Sequence, residues 1–550
     1  MNPTRQVLSP LAIAITATML VACGGNNDQS SVSPNSPNNT PSKTGVASLP
    51  TGNLLAEPVN SKNVTATDLT TLFQQIEPVL SQQIAKPVCD VKVEYIHYDT
   101  VDVKGQPTDA TGAVFIPTGT DPKCMGKRPI VLHAHGTATT KGYNFASVGD
   151  MTNEAGSRAT MMAAMFAGQG YVVVSPNYAG YDKSKLDYHP YLNATQQAHE
   201  MADALKAGRS VLQKLNDTTK VSDNGKLFLT GFSQGGHVVM AAARYFEQLK
   251  EPVTAAMPIS GPYAMGAFGD VVFGGKVMLG ATFFAPLMAR NYQEQYGNIY
   301  QNPSDMFATA NANANDLPSL LPSKTMTDEQ LIQTGTLPAT AMFQKSPTGD
   351  ATLDALSPAD AQFGFGFDAN HYLVKTSYRG AYLADMKKNP DWAIPYFQGV
   401  ASIVPIVATA PENGLRKALK ANDLRGYQPS FPTVMCGGNQ DPMVFFDVNT
   451  GLMNTLWQSN YANQASRKLG FIDIDMTNQA TRAKPIYQTI GLDTIKDNEL
   501  KATATLMQQG FAQDVQKTAQ AGGATGVMVK YHSLVTPYCM GVAEKMFSQY

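Results

Sequence analysis

The stretch Lys226-Leu-Phe-Leu-Thr-Gly-Phe-Ser-Gln-Gly-Gly-His237 leaves the chain few ways to fold. A short apolar run, Leu227 to Leu229, stops at Gly231-Phe232-Ser233-Gln234-Gly235. An alanine-rich amphipathic run, Val238 to Phe246, starts at once. That is strand, tight turn, helix, with a serine at the apex. A turn this sharp demands nearly side-chain-free residues two before and two after the serine, and Gly231 and Gly235 meet the demand. The serine is forced into a strained backbone conformation that lifts its hydroxyl onto a helix N-terminus. There the helix dipole and free N–H groups favour developing negative charge. Alone, G-x-S-x-G is a weak pattern, and a glycine-rich αβ turn is the plain alternative. The flanking strand and helix give it weight, and they make Ser233 a candidate nucleophile.

With 550 residues the chain is too long for one compact core, and long enough for a large domain with an insertion. A formal net charge of -2 leaves no electrostatic footprint for nucleic acid. No internal repeat and no metal-type Cys/His cluster stands out, and the chemistry below calls for no cofactor.

The N-terminus reads as an address. Arg5 precedes an apolar run, Leu11 to Val21, that is too short for a stable membrane span. It ends in Leu20-Val21-Ala22-Cys23, which resembles the bacterial lipoprotein cleavage box. The resemblance implies a signal peptide over 1–22 and lipid on Cys23, anchoring an exported protein to a membrane face without spanning it. Gly24, rather than Asp, after the cysteine points by the usual sorting habit to the outer membrane. Residues 23–60 are rich in Gly, Asn, Ser, Pro and Thr and read as a flexible tether. Setting Cys23 aside from the five cysteines leaves Cys89, Cys124, Cys436 and Cys539. Two disulfides are expected of an exported protein, with three connectivities open.

Further along, Thr67 to Ile84 carries a helix signal. Strands are expected at Val91–Tyr98 and Thr111–Pro117, an antiparallel start, then at 128–135, 170–175, 227–229 and 254–260. The β-branched run Val172-Val-Val174 suits a buried parallel strand. Helices are expected between them, around Ala155–Ala167 and Thr195–Leu215. Alternation breaks from 261 to 428, where helical and irregular sequence rich in Met, Phe, Ala and Asn takes over. A seventh strand follows at Phe431–Cys436, then a helical region over Thr450–Thr518, an eighth strand at Gly526–Tyr531 and a closing helix at Val542–Phe547. The order implies a mostly parallel, doubly wound α/β sheet of eight strands. One domain would run in two parts, 61–260 and 429–550, around a mostly helical cap inserted after the sixth strand.

A serine hydroxyl needs a base, and the base needs an acid. Of the eight histidines only His371 and His532 lie well beyond the serine turn, and His371 falls inside the presumed cap. His532 is therefore the candidate base. Asp441, in the loop Cys436-Gly-Gly-Asn-Gln-Asp441-Pro442, is the candidate acid, with Asp447 as fallback. Two backbone N–H groups should hold an oxyanion. One is expected from Gln234 and one from the turn His133-Ala-His-Gly136-Thr137-Ala138, with Thr137 preferred over Ala138. His133, His135 and His237 read as structural. Pairing Cys436 with Cys539 would tie the acid loop to the base, and Cys89 with Cys124 would staple the first strands.

With these residues in place the chain resembles the α/β-hydrolase serine esterases, and among them the secretory-lipase group. The resemblance rests on Gly231-Phe-Ser-Gln-Gly-Gly236, His135-Gly136, Asp441, His532, and Ser175-Pro-Asn-Tyr-Ala-Gly180 leading to His189-Pro-Tyr-Leu192. It implies the α/β-hydrolase fold and hydrolysis of a small-molecule or lipid carboxylic ester through an acyl-enzyme on Ser233. Two rivals stand beside it: a serine peptidase of the same fold, and a surface lipoprotein that keeps the fold without turnover.

Overall fold

A computed structural model describes residues 51–308, 313–356, 361–391, 407–460, 469–477 and 497–550. The leader, Cys23 and most of the tether lie outside the described residues.

The sheet is built from strands that are apolar on both faces at its centre and mostly exposed at its first edge, Val59–Val64. They are β1 (Val59–Val64), β2 (Asp90–Val101), β3 (Pro107–Thr118), β4 (Gly126–Ala134), β5 (Val172–Pro176), β6 (Val221–Phe232) and β7 (Ala255–Ile259). After a two-stranded piece in the insertion, β8 (Phe343–Gln344) with β9 (Phe367–Asp368), come β10 (Thr433–Gly437) and β11 (Leu469–Asp473). The order is β1-β2-β3-β5-β4-β6-β7-β10-β11. The β1, β2, β3 and β5 neighbours run antiparallel, and every pair from β5 to β11 runs parallel. Runs such as Ile130–Leu132, Val172–Val174 and Leu227–Leu229 are buried throughout, as strands covered on both faces must be.

Helix α1 (Ala66–Ile76) packs on α2 (Gly156–Met165), and α3 (Ala194–Thr219) packs on α4 (Gln234–Leu249). A C-terminal helix, Asn498–Phe547, bends at Gly523 and lies against β6, β7 and β10. Its Phe547 stacks on Phe228 of β6 at 4.6 Å. On α3, Gly208 lets the helix close on Val174, since a Cβ there would sit 2.6 Å from the valine side chain.

Three expectations need correction. Among the described residues the sheet has nine strands, not eight. The tether does not extend to residue 60. Thr51 Oγ1 donates to Asp203 at 2.7 Å, Gly52 N to Asp99 O at 2.9 Å, and β1 pairs along β2. Gly526–Tyr531 is helix, and the last strand is instead Leu469–Asp473, inside the stretch read as helical. Val527, Tyr531, Val535, Tyr538 and Val542 fall at helical spacing and reach the core together. That stripe overrides the β-branched composition of six residues.

Between β7 and β10 the chain builds the mostly helical insertion, with its own apolar cluster. Helices α5 (Met265–Phe273) and α6 (Ala281–Tyr296) lie on the side of the serine, with Thr376–Lys388 and Gly414–Ala421 beyond. Buried charges join these pieces. Arg416 pairs with Asp270 at 2.7 Å and Asp385 at 2.9 Å, and Arg425 pairs with Asp391 at 2.6 Å and Asp423 at 2.7 Å.

Candidate active site

Ser233 stands between β6 and α4 with φ 60° and ψ -124°, a left-handed conformation costly for any residue with a Cβ. The surrounding backbone is too close for side chains. A Cβ on Gly231 would lie 2.5 Å from Ala134 O, and one on Gly235 would overlap that same oxygen. Ser233 N donates to Ile259 O at 2.9 Å, fixing the turn to the next strand. Gln234 opens α4, so its amide is among those without an intrahelical acceptor.

Asp441 follows β10 on the glycine loop. Its Oδ1 accepts from Met443 N at 2.9 Å and Val444 N at 3.1 Å, which leaves Oδ2 for His532 Nδ1 at 2.6 Å. Both side chains are buried. The neighbour of His532, Tyr531, braces the acid loop: Gln440 N donates to its Oη at 3.2 Å, and Oη donates to Asp475 at 2.5 Å. Gly438 gives that ring its room, because a Cβ there would sit 2.7 Å from it. Asp447, the fallback, starts the turn Asp447–Gly451 instead.

His532 Nε2 has no hydrogen-bond partner among the described residues. The His532 ring lies 4.7 Å from that of Phe232, and Ser233 and His532 line one cavity of about 470 Å³. The bond between serine and histidine is thus not made in this state, as is common before substrate tightens a site. Ser233, His532 and Thr137 line that cavity, and Asp441 reaches it through its bond to His532. A second, apolar chamber, lined by Met265, Phe268, Val272, Ala281, Ala285 and Met288 among others, also opens on Ser233 and Gln234. Phe284 borders both spaces.

The other histidines are held by hydrogen bonds. His133 Nδ1 meets Ser175 Oγ at 3.0 Å, and His135 meets Gly136 O at 2.5 Å and Asn177 O at 3.1 Å. Burial pushes the His133 imidazole well below its usual range and the His135 imidazole down to about 4. His237 Nε2 lies 3.0 Å from Asn422 O, and burial takes it to about 4. His371 sits in the insertion, with its amide on Asp368.

Both disulfides fall as expected. Cys89 bonds Cys124 with Cα atoms 5.4 Å apart, and Cys436 bonds Cys539 at 5.9 Å, linking β10 to the helix that carries His532. The loop 177–193, which carries part of the resemblance but is given no role in the site by its sequence, places Tyr178, Tyr181, His189 and Tyr191 around the turn after β4. The signal was an aromatic- and histidine-rich loop directly after a central strand.

Residues 158–337 match the model of the prolyl oligopeptidase family. No protein of curated function matches the sequence. Among solved structures, the rice cell wall degrading esterase LipA from Xanthomonas oryzae is similar at 26% identity. The match covers 78% of this chain and 92% of that one, with a TM-score of 0.58. A ligand-bound form of that esterase matches at 23% identity over 83% and 97% of the chains, with a TM-score of 0.57. A putative hydrolase from Legionella pneumophila matches at 16% identity over 79% and 95%, with a TM-score of 0.55, and shares the fold. The chain has the α/β-hydrolase fold, and it is similar to the esterase built on that fold among these structures.

Proposed function

We propose that the chain is a carboxylic ester hydrolase working through an acyl-enzyme on Ser233, with His532 as base and Asp441 as the acid that orients it. The observation that carries the reading is the place of Ser233 between two unlike spaces. Among the described residues, the chamber walled by α5 and α6 has no charged lining residue, whereas the cleft holding His532 includes Thr137, Thr139, Glu154 and Arg158. An ester with an apolar acyl group and a polar alcohol matches that division. The esterase among the structural neighbours supports it too.

In this reading Ser233 Oγ attacks the ester carbonyl while His532 Nε2 takes its proton. Asp441 Oδ2 accepts the bond from Nδ1–H and stabilises the imidazolium. The amides of Thr137 and Gln234 hold the oxyanion. The alcohol leaves with the proton from His532, and water repeats the sequence to release the acid. Turnover of p-nitrophenyl esters of graded chain length, with a serine-directed phosphonate labelling Ser233, is the expected result. The family match keeps a peptidase reading alive; cleavage of aminoacyl-anilides alone would favour it. Silence on both substrates with Ser233 unlabelled would leave a non-catalytic protein.

The cleavage-box residues Leu20-Val21-Ala22-Cys23 support a further reading, an exported protein held to the outer membrane by lipid on Cys23. Cys23→Ser should move the protein from the membrane to the soluble fraction; unchanged membrane partition removes the anchor.

A further inference from the structure

The loop between β5 and α3 plays no chemical part in the mechanism above, yet it is buried far more deeply than a connection needs to be. Asn177, Tyr178, Tyr181, His189 and Asn193 are each at most 1% exposed. Its side chains touch both backbone segments that would supply oxyanion donors. On one side Tyr178 Oη donates to His135 O at 3.1 Å, Tyr181 Oη donates to Ala138 O at 2.6 Å, and Tyr191 Oη accepts from Thr137 Oγ1 at 3.2 Å. On the other, His189 Nε2 lies 2.6 Å from Gln234 Nε2.

The His189 tautomer follows from its partners. Nδ1 is 3.0 Å from Ala179 O, which can only accept, so Nδ1 carries the proton. Nε2 then offers a lone pair to the Gln234 amide. Gln234 Oε1 has no partner among the described residues, so His189 is the polar anchor of that side chain. The imidazole is packed against Tyr178 and Tyr181, with ring centroids 5.5 and 4.7 Å away. Burial lowers it to about 3, so at neutral pH it stays uncharged and keeps the accepting lone pair. Behind it, Glu200 Oε1 accepts from Ala179 N at 2.7 Å, and Lys141 Nζ donates to Gly180 O, Ser184 O and Leu186 O at 2.6, 3.0 and 3.0 Å.

An oxyanion site works only when two amides from separate segments converge on one oxygen at about 3 Å. We propose that the loop 177–193 is the template that sets this convergence, with His189 as a positioning residue that fixes the Ser233–Gln234 peptide through the Gln234 side chain. The proposal rests on the serine-hydrolase reading given above. Without the tie, the peptide after a strained serine can swing, and its amide drifts from the charge it should meet.

The test is a double-mutant cycle on the full chain, His189→Phe, Gln234→Met and the pair, reading ester kcat, KM and the rate of phosphonate labelling at Ser233. Each single variant should lower kcat on the order of ten- to a hundredfold, with KM within about threefold and labelling slowed in step. The pair should be no worse than the worse single variant, because both remove one tie. Losses that multiply in the pair, or a change confined to KM, overturn the proposal. Gln234→Met leaves the loop's own contacts in place, so full kcat in that folded variant overturns it even if His189→Phe does not fold. A wild-type chain that cleaves only anilides sinks the ester reading alone, and the cycle is then read on the anilide. A wild-type chain neither active nor labelled sinks both.

Discussion

The two arms that meet in the cleft are held in opposite ways. The serine arm is local: within five residues, glycines press backbone on backbone and leave Ser233 one conformation. The histidine arm is assembled from afar: Asp441 sits on the loop after β10, His532 on a helix ending near the C-terminus, and a disulfide spanning 103 residues ties the two elements. A local device tolerates almost no substitution because it leans on the backbone of neighbouring strands, Ala134 O and Ile259 O. A long-range one tolerates substitution along its length and depends on a few cross-links.

The largest expected effects fall on the reacting groups of both arms alike. Ser233→Ala and His532→Ala should each cut ester kcat on the order of a thousandfold or more with the thermal midpoint kept, since members of a triad act as a unit. Asp441→Asn should cost somewhat less. A stably folded Ser233→Ala that keeps most of its turnover would end the mechanism.

Next comes the contrast between glycines. Gly235→Ala must push its methyl into Ala134 O and should cost about 3 kcal/mol or more in denaturant unfolding, or yield no folded protein. Gly526→Ala, on the helix of the other arm, meets only Thr518 O at an ordinary 3.5 Å. It should stabilise the chain by up to about 1 kcal/mol through helix propensity. Equal effects at both positions would erase the distinction.

Removing the cross-links separates stability from geometry. Loss of either disulfide should cost roughly 3–5 kcal/mol by loop entropy. Replacing Cys436 and Cys539 with Ala should also lower kcat, whereas the same change at Cys89 and Cys124 should leave kcat alone. An unchanged kcat in the first pair would show that helix packing alone holds the base.

The last effect, read only as a pH slope, lies on the serine side. Burial lifts the Glu200 carboxyl to about 8 from an ordinary 4.5. Between those values the folded protein keeps a proton that the unfolded chain sheds. The stabilisation is therefore full below pH 4.5 and lost as pH rises through 8. Glu200→Gln stays neutral throughout, so its thermal midpoint should fall less steeply from pH 5 to 9 than that of the wild type. Parallel curves would show that Glu200 ionises freely.

The same contrast explains what could be read from the sequence. The serine turn, the parallel strands and Asp441 are visible because each lies in a short segment with its own pattern. His532 was found by elimination among few histidines, but its element was misread. Gly526–Tyr531, with two valines and a tyrosine, looks like a strand until the stripe from Val527 to Val542 is seen whole. Strand β11 was hidden for the converse reason: a five-residue run between helical stretches carries no period of its own. His189 gave no local hint of its contact, since Gln234 lies 45 residues away and the meeting depends on the fold.

The charges inside the insertion bear on how such a protein can change its taste. Arg416 and Arg425 each hold two carboxylates out of water, so losing either arginine strands two buried carboxylates, at a cost of about 3–5 kcal/mol. Those seams resist drift one residue at a time. Ala281, Ala285 and Met288 face the chamber and bear no such debt. New substrate preferences are thus most readily reached by resizing those walls, while the frame around them stays as it is.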